Sequence, residues 1–198
     1  HRVDRRQRQM CIRDRTDALS AASGVDSYCS SIGTAGEAAA QDAVKLVWQD
    51  AVNAMQKTEP HAVGPIANNE DTLRNRIHSY ANTDLGACSI DRSVVAQGSS
   101  DFDLAVRSSN QRGLGAIEYL LFNTVLTTNC APQITETSEW DALSTKEQKT
   151  QRCTYASKLA TDVAAAASAV LTSWEPSGND YRATFVSEGN AGASLQAL

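Results

Sequence analysis

The chain has 198 residues, 41% of them hydrophobic, and its formal net charge of −5 is unevenly distributed. The first 15 residues hold six of the 18 basic residues and two of the 23 acidic ones, so the remaining 12 basic and 21 acidic residues give a balance of −9. An acidic body of this kind disfavours nucleic acid and anionic membranes as partners. No apolar run approaches the roughly 20 residues that a membrane-spanning helix needs.

The basic start of the chain, HRVDRRQRQMCIRDR (residues 1–15), is interpreted as a non-native leader. The other two explanations are a nucleic-acid-binding arm and a targeting segment. A signal peptide has an apolar core after its basic residues, and none follows here. The string QRQMCIRDR resembles translated sequencing-adapter read-through, so we exclude it from fold reasoning. Because the chain lacks an initiator Met, we expect the true N-terminus, with any signal peptide, to be missing.

The next part of the chain predicts helices separated by loops. Residues 37–57 have helical periodicity, with an apolar stripe made of Ala40, Val44, Val47, Trp48, Ala51 and Met55. The loop 58–69 carries two Pro and one Gly, which end this helix. A second helix is predicted from Asn69 to about Tyr80. A short segment near 90–97 follows, and GSSDFD (98–103) indicates a turn with a weak helix after it.

The second half of the chain contains its clearest helix. A helix is predicted from Leu114 to about Thr127, and 128–144 is mostly loop with a short helical piece near SEWDAL. The sequence Ser-Thr-Lys-Glu at 144–147 indicates a capping box, which starts a helix that runs to about Trp174. Its apolar stripe is Ala156, Leu159, Ala160, Val163, Ala164, Ala167, Val170, Leu171 and Trp174. The many alanines predict close contact between helices.

The predicted fold is an all-α, up-and-down helical bundle. Pro176 and Gly178 end the long helix, and DYRATFVSEG is expected to form a further short helix. The final ASLQAL resembles a helix that is cut off as it begins. We therefore divide the chain into the leader, an N-terminal bundle over 16–175, and the start of a truncated second helical half over 176–198.

Four cysteines follow the leader, namely Cys29, Cys88, Cys130 and Cys153. There is no C-x-x-C pair and no Cys/His cluster, so a zinc site is disfavoured. Four cysteines allow three pairings. We prefer Cys130–Cys153, which closes the loop before the long helix, with Cys29–Cys88 tying the first helix to the third. The alternative is four buried thiols.

The stretch RGLGAIEYLLFN (112–123) places an acid among apolar residues. On a helical wheel, Glu118 falls on the face that gathers Leu114, Ile117, Leu121 and Val125. A carboxylate there is costly unless it is paired or ligated. One interpretation is a metal or substrate ligand, or a general base. The other is structural: a hydrogen bond to a loop backbone, or a buried ion pair whose partner is Arg76, Arg92 or Arg112. The neighbouring Gly113 and Gly115 permit close approach by another helix or a ligand.

Four stretches together resemble the imelysin-like family. They are LVWQDAVNAMQKTEPHAVGPIANN (46–69), LRNRIHSYANTDLGACSIDRSVV (73–95), RGLGAIEYLLFN (112–123) and RCTYASKLATDVAAAASAVLTSW (152–174). The resemblance implies an exported bacterial all-α protein, periplasmic or anchored to the outer membrane through an N-terminal lipoprotein signal. It also implies two bundle halves with a site between them, of which this chain holds the N-terminal part. The family is classed as metallopeptidases and linked to iron uptake.

The family motif G-x-H-x-x-E matches this sequence at its glycine, Gly113, and at its glutamate, Glu118, whereas Gly115 occupies the histidine position. His and Glu three residues apart on a helix share a cation more readily than a lone carboxylate binds one. The resemblance implies that Arg76 and Asp91 line the same site, with Arg112, Gly113 and Gly115 as further ligand-binding candidates and Glu118 as the candidate for iron or another divalent metal.

The sequence thus predicts a non-catalytic imelysin-like protein that binds a small ligand or a metal ion and is linked to iron uptake. One alternative is an imelysin-type metallopeptidase whose remaining ligands lie in the missing half of the chain. The other is a helical interaction module in which Glu118 is purely structural. An open cleft at Glu118, with Arg, Asp or His converging on it, would favour the first two, and closed packing around an arginine would favour the third.

Overall fold

The computed structural model describes residues 2–59, 62–78 and 84–187, and over these residues it is helical, without strands. The all-α prediction is confirmed. The α-helices are α1 (Arg2–Ser31), α2 (Glu37–Thr58), α3 (Asn68–Ile77), α4 (Ala87–Ala96), α5 (Gly113–Phe122), α6 (Thr145–Trp174) and α7 (Tyr181–Val186). None of the described helices combines the length and hydropathy of a membrane span.

Helix α6 is the centre of the bundle, because α1, α3, α4, α5 and α7 all contact it. Every residue of its predicted stripe is buried. The alanines in that stripe let neighbouring helices approach closely, as the sequence indicated. The predicted capping box is also confirmed: Ser144 Oγ accepts the Glu147 N–H at 3.3 Å, and a Glu147 carboxylate oxygen accepts the Ser144 N–H at 2.8 Å.

Helix α1 packs against both α2 and α6 and was not delineated from the sequence. Its buried side includes Ala18, Ala21, Val25 and Tyr28. The helix extends back through most of the segment 1–15. Whether residues 1–15 are native sequence does not follow from their helical structure, so their interpretation as a non-native leader stays a prediction. The proposed domain boundaries also stay predictions.

Two helix ends differ from their predicted positions. Helix α3 stops at Ile77 because His78 is extended (φ −97°, ψ 117°), and Tyr80 lies outside the described residues. Helix α5 stops at Phe122, five residues before the predicted Thr127, since Asn123 is extended and its side-chain oxygen accepts the Val125 N–H at 3.0 Å. Val125 is consequently 58% exposed instead of lying on the apolar stripe.

The chain beyond α6 packs back on the bundle through aromatic rings. The predicted short helix is α7, whose Tyr181 and Phe185 rings lie 5.0 and 5.8 Å from the ring of Trp174 at the end of α6. The terminal ASLQAL lies outside the described residues. The described part of the segment 176–198 therefore contacts the same core as the helices before it.

The structure contains two disulfides, but both predicted pairings are wrong. The disulfides are Cys29–Cys153 and Cys88–Cys130, with Cα–Cα distances of 5.5 and 4.6 Å. Because α1 and α6 pack side by side, Cys29 reaches Cys153 across 124 residues of sequence. Cys130 forms its disulfide with Cys88 at the start of α4, because the chain after α5 turns back along that helix.

Candidate functional site

Helix α5 is held deep in the bundle by its own backbone as well as its side chains. Trp48 Nε1 donates to the Leu114 carbonyl at 2.9 Å, and Gln41 Nε2 donates to the Leu121 carbonyl at 2.8 Å. Seven of its ten residues are buried, whereas Glu118, Tyr119 and Phe122 are half-buried. The wheel placed Glu118 within a single apolar stripe; the helix is in fact buried nearly all round, and Glu118 lies on its least buried side.

That side of α5 borders a cavity of about 340 Å³. Its lining comprises Leu85, Gly115, Glu118, Tyr119, Phe122 and Asn123. Gly115 and Glu118 are three residues apart and therefore adjacent on this face. With no side chain at 115, the helix backbone forms part of the wall. The described lining holds one carboxylate, two aromatic rings and an amide, and no arginine, aspartate or histidine.

Asp91 lies behind Tyr119 and not in the wall of this cavity. The Tyr119 hydroxyl donates to the Asp91 carboxylate, with distances of 2.9 and 3.0 Å to its two oxygens. The Asn129 N–H donates to the same carboxylate at 2.7 Å. Burial raises the pKa of Asp91, and the two hydrogen bonds counteract part of that rise. Asp91 therefore acts on the Glu118 cavity through the position of Tyr119.

Tyr119 is held in its neutral form. Burial, followed by the nearby Asp91 carboxylate, raises the pKa of its phenol to about 12. The Asn129 side-chain amide donates to the same hydroxyl at 2.7 Å. Because an ideal acid–base catalyst has a pKa near the working pH, this phenol is poorly suited to proton transfer at neutral pH. Tyr119 therefore lines the cavity as a neutral residue whose hydroxyl is engaged by Asp91 and Asn129.

Arg152 completes this buried network and was not singled out from the sequence. It is 1% exposed, and one of its Nη atoms lies 3.8 Å from an Asp91 oxygen. Its guanidinium also donates to the carbonyls of Val125 and Leu126 at 3.1 and 3.2 Å. A signal was present, because Arg152 precedes Ala156 by one helical turn and so falls on the apolar stripe of α6. Like Glu118, Arg152 is a charged residue among the apolar residues of its own helix.

Arg76 and Arg112 converge on Asp162 in a second cavity. Arg76 donates to one oxygen of the Asp162 carboxylate and Arg112 to the other, each at 2.6 Å. Asp162 was not predicted, because nothing on its own helix marks it and both partners come from distant segments. Arg92, the third arginine considered as a partner for Glu118, pairs with Glu136 at 2.6 Å on the exposed surface.

Gly113 fixes the start of α5 against the end of α3. Its φ is +75°, a conformation that L-residues with a side chain adopt only with strain. A Cβ atom on Gly113 would lie 2.5 Å from the Ile77 carbonyl oxygen. This position therefore requires glycine for backbone reasons. The contact also places Arg112 next to the end of the helix that carries Arg76.

Gly113→Ala is expected to lower the free energy of unfolding by about 2–4 kcal/mol, from left-handed strain plus overlap with a backbone oxygen that cannot move away alone. Urea denaturation measures the loss. Gly98→Ala is the matched control, since a Cβ there would meet none of the described residues within 4 Å. Equal stability of the two variants would contradict the backbone role assigned to Gly113.

The fold and the site define a disulfide-braced helical bundle that carries a glycine-rich buried helix with a carboxylate-bearing cavity beside it. The family model of imelysin matches residues 13–198. The chain belongs to the imelysin family, as the sequence resemblance implied. A search of curated proteins gave no match, and a search of solved structures gave none.

The residues around Glu118 do not fit a metal ion by themselves. No group of three or more His, Cys, Asp or Glu side chains that could hold an ion occurs within the described residues. Glu118 supplies one carboxylate, and Gly115, three residues before it, supplies no side-chain donor. A metal at this position would therefore require ligands beyond the described residues.

Proposed function

We propose that this chain is the N-terminal part of an exported imelysin-family protein that binds a small cationic ligand at the Glu118 cavity without cleaving it. The observation that carries the proposal is the carboxylate of Glu118 on the wall of a 340 Å³ cavity that Gly115 also lines. A carboxylate in a cavity that Tyr119 and Phe122 also line attracts an organic cation through its charge, and aromatic rings near a cation add to that attraction. A divalent metal such as iron is the alternative occupant.

The acid–base groups in and next to the Glu118 cavity favour binding without catalysis. Glu118 is one carboxylate, Tyr119 keeps its proton with a pKa of about 12, and Asp91 is engaged by Tyr119 and Asn129. General acid–base catalysis requires a group that gains and loses a proton near the working pH. Gly115 at the motif's histidine position leaves the cavity without the residue type that most often has this role.

Export is favoured by the two disulfides, because disulfides persist in oxidising compartments. Imelysin-family proteins are typically extracellular or periplasmic. We extend the proposal to a periplasmic or outer-membrane-associated location, attachment through an N-terminal lipoprotein signal, and a role linked to iron uptake. The other wall of the Glu118 site would be supplied by the second helical half of the same protein.

Glu118→Gln in the intact protein is expected to weaken ligand binding at least about tenfold while the melting temperature changes little, because glutamine keeps the size of the side chain and removes the charge that attracts a cation. The probes for calorimetry are choline, putrescine, iron and zinc, which also separate organic cations from metals. Glu139→Gln, at an exposed carboxylate outside the cavity, is the matched control.

Three outcomes would contradict the proposal. Binding of no probe, or equal binding by Glu118→Gln, removes Glu118 as a ligand contact. A large drop in melting temperature with binding unchanged supports the helical interaction module with a structural Glu118. Peptide cleavage by the intact protein that a chelator abolishes supports the metallopeptidase.

A further inference from the structure

A third cavity lies where the end of α5 meets α1, α2 and the start of α6. Its volume is about 160 Å³. A water molecule occupies about 30 Å³ in the liquid, so the cavity has room for about five of them. This is below the usual range for drug-sized ligands, and the cavity therefore suits only a small molecule. Three leucines, Leu120, Leu121 and Leu126, form its apolar lining, and polar side chains complete the lining that the structure describes.

The hydroxyl group of Tyr28 on α1 is not used by the bundle. The residue is 3% exposed, so its ring belongs to the core. Its hydroxyl makes no hydrogen bond to the described residues, yet it is accessible from the cavity that Tyr28 lines. Burial raises the pKa of this phenol, so the hydroxyl keeps its proton at neutral pH. It therefore offers both a donor and an acceptor to a molecule in the cavity.

Two side-chain amides of the lining present complementary groups. Gln41 Nε2 donates to the Leu121 carbonyl at 2.8 Å, which leaves the Gln41 carbonyl oxygen as an acceptor. The Asn123 carbonyl oxygen accepts the Val125 N–H at 3.0 Å, which leaves the Asn123 amino group as a donor. The lining thus combines donors and acceptors, as a ligand rich in hydroxyl groups requires.

The charges around this cavity favour a neutral ligand. Lys149 is the one charged residue of the described lining, and its ammonium pairs with Glu37. The end of α5 carries the partial negative charge of a helix C-terminus, which disfavours an anion. A cation would meet the Lys149 ammonium. Neither sign of charge is therefore favoured, whereas hydroxyl groups can bond all the polar groups present.

We propose that this cavity binds a small neutral polyol, such as glycerol or erythritol, whose hydroxyl groups bond Tyr28, Gln41 and Asn123 while its carbon chain contacts the leucines. The site shares Asn123 with the Glu118 cavity but is separate from it and goes beyond the function proposed there. A ligand this small makes few contacts, so we expect a dissociation constant in the millimolar range.

Nuclear magnetic resonance of the intact protein, labelled with ¹⁵N in its side-chain amides, detects such weak binding. Glycerol and erythritol are expected to give saturable shifts of the Gln41 and Asn123 amide resonances. Glycerate and serinol, an anion and a cation of the same size, should give weaker ones. The Gln97 amide is the internal control, because it bonds the carbonyls of Val94 and Gln151 instead of lining the cavity.

Two results of this titration would contradict the proposal. Shifts that rise linearly and include Gln97 would indicate a general solvent effect, and the site would be overturned. A stronger response to glycerate or serinol than to glycerol would overturn the neutral ligand class.

Tyr28→Phe removes the hydroxyl group and keeps the ring. Glycerol affinity is expected to fall at least about fivefold, whereas the melting temperature changes little because this hydroxyl bonds no described residue. Tyr155→Phe is the matched control, since its hydroxyl donates to the Gln111 carbonyl at 3.2 Å outside the cavity. That variant should lose stability and keep its affinity for glycerol. Unchanged affinity in Tyr28→Phe would overturn the site.

Glu37→Gln tests whether the ion pair sets the preference for a neutral ligand. The variant leaves the Lys149 ammonium without its carboxylate, so affinity for glycerate is expected to rise several-fold while that for glycerol changes little. Glu139→Gln, at an exposed carboxylate outside the cavity, is the control. Equal glycerate affinity in the folded Glu37→Gln variant and the control would overturn the assignment of Lys149 and of the neutral ligand class.

Discussion

Replacing Cys29 and Cys153 by alanine is expected to lower the free energy of unfolding by about 5 kcal/mol, and replacing Cys88 and Cys130 by about 4 kcal/mol. The two disulfides close loops of different length, with sequence separations of 124 and 42. In the chain-entropy description, the longer loop loses more freedom in the unfolded state when it is cross-linked. The difference between the two double variants, about 1 kcal/mol, is the more reliable part of this prediction.

Urea denaturation of the oxidised protein measures both losses, and non-reducing peptide mapping establishes the pairing independently. The order of the two losses is the informative result, because each variant serves as the control for the other. A peptide that links Cys130 to Cys153 would contradict the structure. A larger loss for the Cys88/Cys130 variant would show that contacts around that disulfide, such as the Asn129 N–H bond to Asp91, outweigh loop entropy.

The features that could be predicted from the sequence are those that local patterns determine. The capping box at Ser144 and the alanine stripe of α6 depend on residues within a few turns of one another, and both are present. The end of α5 was predicted too late because a single polar contact, from the Val125 N–H to the Asn123 side chain, stops a helix that periodicity would continue.

Contacts between residues that are far apart in the sequence could not be predicted from local patterns. Cys29 meets Cys153 because two helices pack side by side, and no spacing rule contains that information. Asp162 likewise becomes part of a site only because α3 and the start of α5 each bring an arginine to it. The requirement for glycine at 113 depends on the Ile77 carbonyl, which lies 36 residues earlier in the chain. Glu118, in contrast, was identifiable because its own helix is apolar.

Asp91→Ala is expected to lower the free energy of unfolding by about 3–5 kcal/mol at neutral pH, the usual cost of removing one partner from a buried ion pair. The variant leaves the Arg152 guanidinium buried without the carboxylate that lies 3.8 Å from it. It also removes the acceptor of the Tyr119 hydroxyl and of the Asn129 N–H. The exposed Arg92–Glu136 pair is the control, since Glu136→Ala breaks a solvated contact and should change stability little.

A double-mutant cycle with Arg152→Met tests whether the two charges act as a pair. The double variant Asp91→Ala/Arg152→Met replaces both charges by apolar groups and should cost less than the sum of the two single changes. Additive losses would show that Arg152 depends on the Val125 and Leu126 carbonyls and not on Asp91.

The pH dependence of the free energy of unfolding distinguishes the contribution of Asp91 from that of Arg152. Burial raises the pKa of folded Asp91 above its ordinary value of 3.8, so the stability gained by protonating it is fully present below that value and is lost as the pH rises through the folded pKa. Arg152 lowers this pKa, and Arg152→Met therefore raises it further. The cost of Arg152→Met should shrink as the pH falls from neutral through this raised pKa, because a neutral carboxyl needs no counter-charge, whereas the cost of Asp91→Ala should not shrink. Denaturation curves over a series of pH values measure this, and parallel behaviour of the two variants would show that Asp91 is not the titrating group.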